Sequence, residues 1–479
     1  MVFGTRRKPR VARWMALTVT AIELFLAILL FANYDVDAGG FQYQQQMSWI
    51  ATFDIQYRLG ADGLSVPLVL LNGLLGLTAV LISWDVSDRP HLYFACLLVL
   101  QAAVMGVFLA LDLILFFVFW ELELIPMFLL ISMWGSGRRE YSAMKFLLFT
   151  LLGSAFMLVA ILALYLSFPP GLRTFDMTVL AERSMVDLIV PTSLVFWGFL
   201  IAFAVKLPIF PLHTWLPDAH TDAPTAVSVM LAGVLLKMGG YGLLRINAGL
   251  FTEELAALGP MLMVLGLINI LYGAFIVLRQ TDLKRMVAYS SVSHMGFVVV
   301  GLASVAAAGD KFNVAGLNGA ALQLFSHGVI TGLLFVVVGL IYDRAHTRHI
   351  PDFGGIAHQI PLISIGFMLA GLASLGLPTT SGFAAEIMIF LAAYSAFPWL
   401  TTLAAFGVVL ASGYILWAAQ RTLFGPRLAR WDNLEDARLV DLTAMAVLII
   451  PIFVVGVYPR ILTDMFGNAL APILSRMGA

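Results

Sequence analysis

Two lysines lie inside apolar sequence in residues 202–244, AFAVKLPIFPLHTWLPDAHTDAPTAVSVMLAGVLLKMGGYGLL. Lys206 precedes two prolines in the run KLPIFP, and Lys237 lies near the middle of the next apolar segment. An interior proline removes a backbone hydrogen bond, and a membrane-spanning helix tolerates this only where protein or a water-filled cavity covers the site. The stretch therefore predicts an interrupted helix followed by a continuous one, each with a buried lysine.

The composition of the whole chain excludes a soluble protein. Of its 479 residues, 61% are hydrophobic and 11% are charged, against about 45–50% and about 25% in an ordinary soluble domain. The formal net charge of −1 gives no basic field for nucleic acid. The single cysteine, Cys96, excludes an internal disulfide, an iron–sulfur cluster and a thiolate zinc site in this chain.

Apolar segments of about 20 residues, each long enough to cross a bilayer, recur along the chain. They predict an all-α polytopic membrane protein with about 13 transmembrane helices. The eleventh segment contains Pro378 and Gly382, so we expect it to break into two pieces. We expect a short amphipathic surface helix at about 462–476. The predicted spans are 14–33, 64–83, 91–110, 113–133, 144–167, 187–210, 223–246, 258–279, 286–307, 316–342, 361–394, 399–423 and 439–458.

Basic residues in alternate loops predict that the N-terminus is cytoplasmic. The opposite loops carry mainly acidic residues, and thirteen crossings place the C-terminus on the other side. The basic residues of the N-terminus are Arg6, Arg7, Lys8, Arg10 and Arg13, and those of the loops include Arg138, Arg139, Arg279, Arg344, Arg348, Arg427 and Arg438. The acidic residues are Asp176, Glu182, Glu253, Glu254 and Asp310.

A weak internal repeat has an offset of 170 residues. Asp112-Leu113 recurs as Asp282-Leu283, and Leu207-Pro208 recurs as Leu377-Pro378. The second match pairs the two predicted helix breaks, and paired broken segments in two halves of a chain indicate an inverted-repeat transporter.

Ionisable residues inside the predicted helices are few, and each costs about 2.5–3.5 kcal/mol at the bilayer centre. They are Glu23, Glu121, Glu123, Lys206, Lys237, His294, His327 and Glu386. Glu121 and Glu123 project about 200° apart around a helix, so one faces the relay and the other anchors. Glu23 lies near the edge of the bundle, where a structural or snorkelling role fits better.

The remaining set, on successive helices, favours a proton relay. Burial disfavours the charged form of a lysine and a nearby carboxylate favours it, so moving the carboxylate drives the proton. Buried ion pairs that only lock the helices together are the alternative. A metal site fits poorly because lysine is not a usual ligand, and a haem between His294 and His327 is conceivable. No Walker loop or dinucleotide fingerprint is present.

The longest motifs resemble a known family. FFVFWELELIPMFLL (116–130), residues 202–244, DLKRMVAYSSVSHMG (282–296), Ser326-His327-Gly328 and YILWAAQRTLFG (414–425) are similar to the antiporter-like membrane subunits of respiratory complex I, of the chain 4 type in NAD(P)H:quinone oxidoreductases. The string ELELIP resembles cyanobacterial and plastid members. The family's Leu-Pro-Gly is here Leu377-Pro378-Thr379, and the family's first helix is absent unless the true start lies upstream.

The resemblance implies an antiporter-like fold of two inverted five-helix repeats, each with a broken helix. Residues 1–110 would hold helices 1–3, residues 111–280 the first repeat, residues 281–458 the second repeat, and residues 459–479 the tail. It also implies roles. Glu121 would set the proton affinity of Lys206, the central proton carrier. Lys237, His294 and His327 would pass the proton sideways, and Glu386 would be the terminal group.

The resemblance further implies that this chain holds no cofactor. NAD(P)H or ferredoxin, iron–sulfur clusters and plastoquinone would belong to partner subunits, including neighbouring antiporter-like subunits, in a thylakoid or bacterial inner membrane rich in lipid contacts. A variant tied to carbon dioxide uptake stays open. Two other functions remain as alternatives: a sodium/proton antiporter subunit driven by ion gradients, and a membrane scaffold whose charges merely pair.

Overall fold

The computed structural model describes residues 8–183, 185, 189–306 and 313–476. Within those ranges eleven helices are long and apolar enough to cross a membrane, and three shorter apolar helices belong to two broken crossings. Together they match the thirteen predicted apolar segments and confirm a polytopic helical membrane protein. Arg6, Arg7 and Asp310, which entered the orientation prediction, lie outside the described residues, as do residues 477–479 of the predicted tail.

Thirteen crossings follow one another within the described residues. In chain order they are α1 Pro9–Asn33, α2 Ser65–Ile82, α3 Pro90–Leu109, α4 Leu113–Trp134, α5 Arg139–Ser167, α6a Thr192–Lys206 with α6b Trp215–Asp222, α7 Thr225–Leu250, α8 Gly259–Val277, α9 Leu283–Ala306, α10 Val314–Ala345, α11a Pro361–Ser374 with α11b Ser381–Ala396, α12 Pro398–Thr422 and α13 Leu439–Val457. A last helix, α14, spans Arg460–Ser475.

Both predicted helix breaks are present. Residues 207–214 separate α6a from α6b, and residues 375–380 separate α11a from α11b. Lys206 is the last residue of α6a, directly before the first break. Each broken helix is the third crossing of a set of five, α4–α8 or α9–α13, which confirms two five-helix repeats.

The first crossing of each repeat begins in the same way. Asp112 caps α4 by accepting hydrogen bonds from the backbone N–H groups of Ile114 and Leu115 at 2.8 and 3.1 Å. Asp282 caps α9 through the N–H of Arg285 at 3.0 Å. Each aspartate also forms an isolated antiparallel bridge, with Asp176 and His349 respectively. Five crossings separate the two caps, so they lie at opposite faces of the bundle and the repeats are inverted.

A two-stranded sheet departs from the all-α prediction. Strands β1 Gln42–Ile50 and β2 Ile55–Ala61 pair antiparallel between α1 and α2. The two strands are too short and too polar to cross a membrane, so apolar segment length does not predict them. We call the bundle face that carries residues 42–61 the hairpin face, and the face with loops 83–89, 135–138, 278–282 and 423–438 the basic face.

The helix α14 lies on the hairpin face and ties the chain together there. Its buried side chains, Leu462, Met465, Phe466, Leu470 and Ile473, recur at helical spacing. The Asn468 amide donates to the carbonyl of Val36, 2.5 Å away, just after α1. On the same face Arg245 forms a buried ion pair with Asp62. These contacts hold the hairpin region against the repeats.

The short helix α6b is fixed at its end on the basic face by three other elements. The hydroxyl of Ser142 in α5 donates to Asp222 at 2.6 Å. The ammonium of Lys284 in α9 donates to the carbonyl of Ala223 at 2.5 Å. Arg348, after α10, donates to the carbonyl of Thr221 at 2.6 Å. Residues 221–223 are therefore held by both repeats.

The core of the bundle is formed by α7, α9 and α10, which are almost wholly buried. Glycines allow the helices to approach closely: a Cβ atom built on Gly239 of α7 would lie 2.7 Å from the backbone nitrogen of Leu207 and 2.9 Å from the carbonyl oxygen of Phe203. Backbone atoms cannot rotate away as a flexible side chain does. The contact therefore fixes α7 against the first helix break.

We expect Gly239→Ala to destabilise the protein by about 1–3 kcal/mol, because the added methyl group overpacks this contact. The matched control is Gly249→Ala in the same helix, where the nearest atom to an added Cβ is 3.6 Å away. The thermal midpoint of each variant in mild detergent measures the effect. Equal midpoints for both variants would contradict the close approach of α7 and α6a.

Candidate functional site

The first part of the site is a buried ion pair between α6a and α4. The Lys206 ammonium donates to Oε1 of Glu123, and the two side chains are 1% and 0% exposed. Glu123 occurs where α4 has a local turn, and Lys206 occurs where α6a ends. A buried charge is tolerated when it is paired and hydrogen-bonded, so the pair explains how both groups sit inside the bundle.

Glu121, which the sequence analysis assigned to Lys206, does not make this contact. It is half-buried, beside Ser154 of α5, and one of its carboxylate oxygens is buried without a hydrogen-bond partner. Trp120, Glu123 and Met127 form the inward stripe of α4, at spacings of three and four residues. Glu121 lies outside that stripe, so the structure places Glu123 in the contact that we expected of Glu121.

Lys237 is fully buried in the middle of α7 and has different partners. Its ammonium donates to the carbonyl of Ala232 and lies 2.7 Å from Nδ1 of His327 in α10. Among the described residues it makes no ion pair with a carboxylate. The flanking turns Leu231–Leu235 and Leu243–Asn247 are π-helical, a wider winding that is frequent at functional sites. Lys237 is thus paired with a neutral or protonatable group, not with a fixed anion.

The path enters the second repeat at His327 in α10 and continues there. The His327 and His294 rings lie 5.7 Å apart between centroids. Nδ1 of His294 is 3.8 Å from Oε1 of Glu386, which follows the second helix break in α11b. Nε2 of His294 is 3.1 Å from the Ser374 hydroxyl. These groups line a small buried cavity, so the histidines can exchange protons with Glu386 through short contacts or through water.

The observed contacts form two groups. Glu123 and Lys206 form one group, and Lys237, His327, His294 and Glu386 form the other. The predicted Glu121 makes no hydrogen bond to Lys206 among the described residues. No hydrogen bond joins Lys206 to Lys237 among the described residues, although α6a and α7 touch at Gly239. Glu23 lies apart in α1, where it accepts a hydrogen bond from Asn72 at 3.2 Å, consistent with the structural role expected for it.

The sequence analysis missed two buried histidines near the first break. His220 in α6b is 0% exposed, and neither ring nitrogen has a hydrogen-bond partner within the described residues. Its ring stacks on Phe335 of α10 at 4.6 Å. His213, inside the break, is also buried, and its Nδ1 has no hydrogen-bond partner in the described part of the chain. Both occur in the quoted stretch 202–244, where their position beside the interrupted helix was the available signal.

The arrangement can hold protons at buried nitrogen and oxygen atoms and transfer them over short distances. Within the described part of the chain, no three His, Cys, Asp or Glu side chains are placed to hold a metal ion. The buried basic and acidic side chains can support proton transfer between them. The fold and this site define a polytopic membrane protein of the antiporter-like class.

Comparisons with known proteins identify the family. The family described as "NADH:quinone oxidoreductase/Mrp antiporter, TM" matches residues 110–411. The chain is 42% identical, over 98% of its length and 89% of the relative, to NAD(P)H-quinone oxidoreductase chain 4 1 of Synechococcus sp. (strain JA-3-3Ab). It is 43% identical to NAD(P)H-quinone oxidoreductase chain 4 of Gloeobacter violaceus, over 95% of this chain and 86% of that one. The chain belongs to this family of membrane proteins.

Solved structures agree with the fold. A chain of respiratory complex I from Thermus thermophilus with bound NADH superimposes with a TM-score of 0.86 and 30% identity, covering 96% of this chain and 95% of that chain. A chain of the Mrp complex from Dietzia sp. DQ12-45-1b has a TM-score of 0.86 at 20% identity, covering 98% and 93%; this likeness shows the fold alone. The Thermus thermophilus match is a chain of a multisubunit complex, which indicates that this chain also works beside other subunits.

Removing one member of the Glu123–Lys206 pair should destabilise the protein by about 3–5 kcal/mol, because the partner is left as an uncompensated buried charge. Lys206→Met is the single variant, and Lys206→Met with Glu123→Leu is the double variant. We expect the double variant to recover most of the loss, as well-packed apolar residues can replace a buried pair. Denaturation in mild detergent measures all three proteins.

The matched control is Glu121→Leu combined with Lys206→Met. It removes a carboxylate two residues away and leaves Glu123 in place, so we expect no recovery. Recovery with Glu121→Leu, and none with Glu123→Leu, would show that the pairing described above is wrong.

Proposed function

We propose that this chain is a proton-translocating membrane subunit of a redox-driven NAD(P)H- or ferredoxin:plastoquinone oxidoreductase. The observation that carries the proposal is the set of buried ionisable side chains beside both helix breaks, which continues from the first repeat into the second. Family membership, and the names of relatives at 42–43% identity, support it. The chain would work as one pump of a larger enzyme.

The proposed relay begins at Lys206, held by Glu123, and continues through Lys237, His327 and His294 to Glu386. Glu121 stays in the proposal as a second carboxylate whose charge acts on Lys206 from the edge of the bundle. Lys206 keeps its proton while the carboxylate lies beside it. When the carboxylate is protonated or moves away, burial disfavours the ammonium and so favours release of the proton.

The second lysine has weaker support for a positive charge than Lys206 has. Lys237 has a carbonyl and an imidazole as partners, and neither compensates a buried positive charge as a carboxylate does. A proton on Lys237 can therefore pass to Nδ1 of His327, 2.7 Å away, and then toward His294 and Glu386. Because of this difference in counter-charge, the proton can move from Lys206 to Lys237 only after Glu123 stops stabilising the Lys206 ammonium.

The energy for the relay would come from neighbouring subunits. We propose that NAD(P)H or ferredoxin, iron–sulfur clusters and plastoquinone are bound by partner subunits, and that antiporter-like subunits lie beside this chain. The relatives at 42–43% identity are cyanobacterial, which supports a thylakoid membrane, with a bacterial inner membrane as the other setting. The arginines of the basic face support a cytoplasmic N-terminus.

The proposed domain organisation follows the same division. Residues 1–110 would form an N-terminal unit, residues 111–280 and 281–458 the two repeats, and residues 459–479 a tail, of which the helix Arg460–Ser475 lies on the hairpin face. The connection between the repeats occurs at Asp282, which caps α9. The relay crosses this boundary at the contact between Lys237 and His327.

We expect Lys206→Ala and Lys237→Ala each to lower the number of protons pumped per electron several-fold, because each removes a proton carrier. The measurement is proton uptake against electron transfer in sealed vesicles that contain the assembled complex. The control is Lys145→Ala, which breaks an ion pair with Asp218 near the basic face and should leave the ratio unchanged. An assembled complex with an unchanged ratio in both test variants would support a scaffold, and sodium-dependent transport without electron flow would support an antiporter.

Glu123→Gln should lower the proton-to-electron ratio more than Glu121→Gln, because only Glu123 contacts the Lys206 ammonium. The amide keeps the shape of the side chain and removes its charge in both variants. The same vesicle measurement compares them in one assembled complex. A larger loss in Glu121→Gln would return the principal role to Glu121.

A further inference from the structure

Lys206 has a second set of contacts that the proposed relay does not use. Its ammonium lies over the ring face of Trp120 in α4, 5.6 Å from the centroid, and over that of Phe146 in α5, 5.4 Å from the centroid. Both distances are within the range of a cation–π interaction. Both rings are fully buried, so water does not compete with them for the ammonium.

The two rings are held in place by other aromatic side chains. Trp120 packs against Phe116 and Phe203, with centroids 5.6 and 5.5 Å away. Phe146 packs against Trp215, the first residue of α6b, at 5.4 Å. The ring faces cannot turn away from Lys206 without disturbing α4, α6a and α6b together. The Lys206 ammonium therefore lies over two packed ring faces, and we call this pair of rings, Trp120 and Phe146, the aromatic cage.

The spacing along α4 explains why the cage and the carboxylate occur together. Trp120 and Glu123 are three residues apart and so share one face of the helix. Lys237 offers the contrast, since no Trp, Tyr or Phe ring lies over its ammonium among the described residues. Of the two relay lysines, only Lys206 lies over such rings.

A ring quadrupole attracts an ammonium ion but not a neutral amine. The aromatic cage therefore favours the charged form of Lys206 whether or not Glu123 is ionised and in contact. The carboxylate is a counter-charge that can be neutralised or moved, while the rings are permanent. The Glu123 carboxylate and the two rings stabilise the same ammonium through different side chains, so substitution can remove one without the other.

We propose that Trp120 and Phe146 are positioning residues that keep the proton on Lys206 during the interval in which the Glu123 carboxylate is neutralised or has moved away. This proposal rests on the proposed relay and adds to it. Without the cage, Lys206 would lose its proton as soon as Glu123 changed, before the rest of the path was ready. With the cage, release also requires Lys206 to leave the ring faces.

The groups that face Lys206 must be held constant in a test that varies pH. From α4 these are Glu123 and, at longer range, Glu121. From α5 the facing residue is Phe146, and the backbone of α7 at Gly239 approaches Leu207, the next residue in the chain. None of these carboxylates is altered when Trp120 or Phe146 is replaced, so a change in pH dependence reports on the rings.

The experiment measures the proton-to-electron ratio against pH in sealed vesicles with the assembled complex. We compare Trp120→Leu and Phe146→Leu, which remove a ring face, with Trp120→Phe, which keeps one. We expect the alkaline limb of the profile to move by about one pH unit to lower pH in both leucine variants. Trp120→Phe should move it much less. Phe199→Leu, which removes a buried ring stacked on Phe203 away from the ammonium, should leave it in place.

An unchanged alkaline limb in both leucine variants would overturn the cage, and so would an equal shift in Phe199→Leu. If Trp120→Leu does not assemble, Phe146→Leu with Trp120→Phe decides the outcome. Lys206→Ala is measured in parallel. Its failure to lower the ratio would overturn the proposed relay, whereas loss in Lys206→Ala without any shift in the leucine variants would overturn the cage alone.

Discussion

The ion pair between Glu123 and Lys206 constrains the rest of the structure. Each charge alone would be costly in the apolar interior, and together they are neutral and hydrogen-bonded. The pair joins α4 to the end of α6a, at the point where the backbone of the broken helix leaves its regular hydrogen bonding. The break can lie inside the bundle because α5, α7 and the aromatic side chains around Trp120 cover it. The same contact therefore holds the broken helix in the bundle and forms part of the candidate site.

Much of the fold could be predicted because hydrophobic length is a strong constraint in a membrane. A segment of about 20 apolar residues has few alternatives to a crossing, and Pro208 and Pro378 lie in the two observed breaks. The hairpin at residues 42–61 escaped prediction because strand pairing depends on a partner, not on local hydropathy. Its polar residues are typical of an ordinary loop, and only the pairing of the two strands, with Gln42 opposite Ala61, defines the sheet.

The site was harder to predict than the fold. Periodicity showed that Glu121 and Glu123 face opposite ways, but almost every neighbour of these residues is apolar, so hydropathy gives no direction to the helix. Only tertiary packing shows that Trp120 and Met127 point inward and carry Glu123 with them. His220 was missed for a related reason, since its burial comes from Phe335, more than 100 positions away in the chain. In the core of a membrane bundle, the direction in which a side chain points depends on contacts between residues that are far apart in the sequence.

The anchoring of α6b has a mechanical consequence. Because residues 221–223 are hydrogen-bonded to α5, α9 and the segment after α10, α6b is held in place at its end on the basic face. A displacement of Lys206 relative to α6b would then be accommodated by the eight residues between Lys206 and Trp215. In the proposed relay, a change of charge at Lys206 would therefore need little movement of the neighbouring helices or of the surrounding lipid.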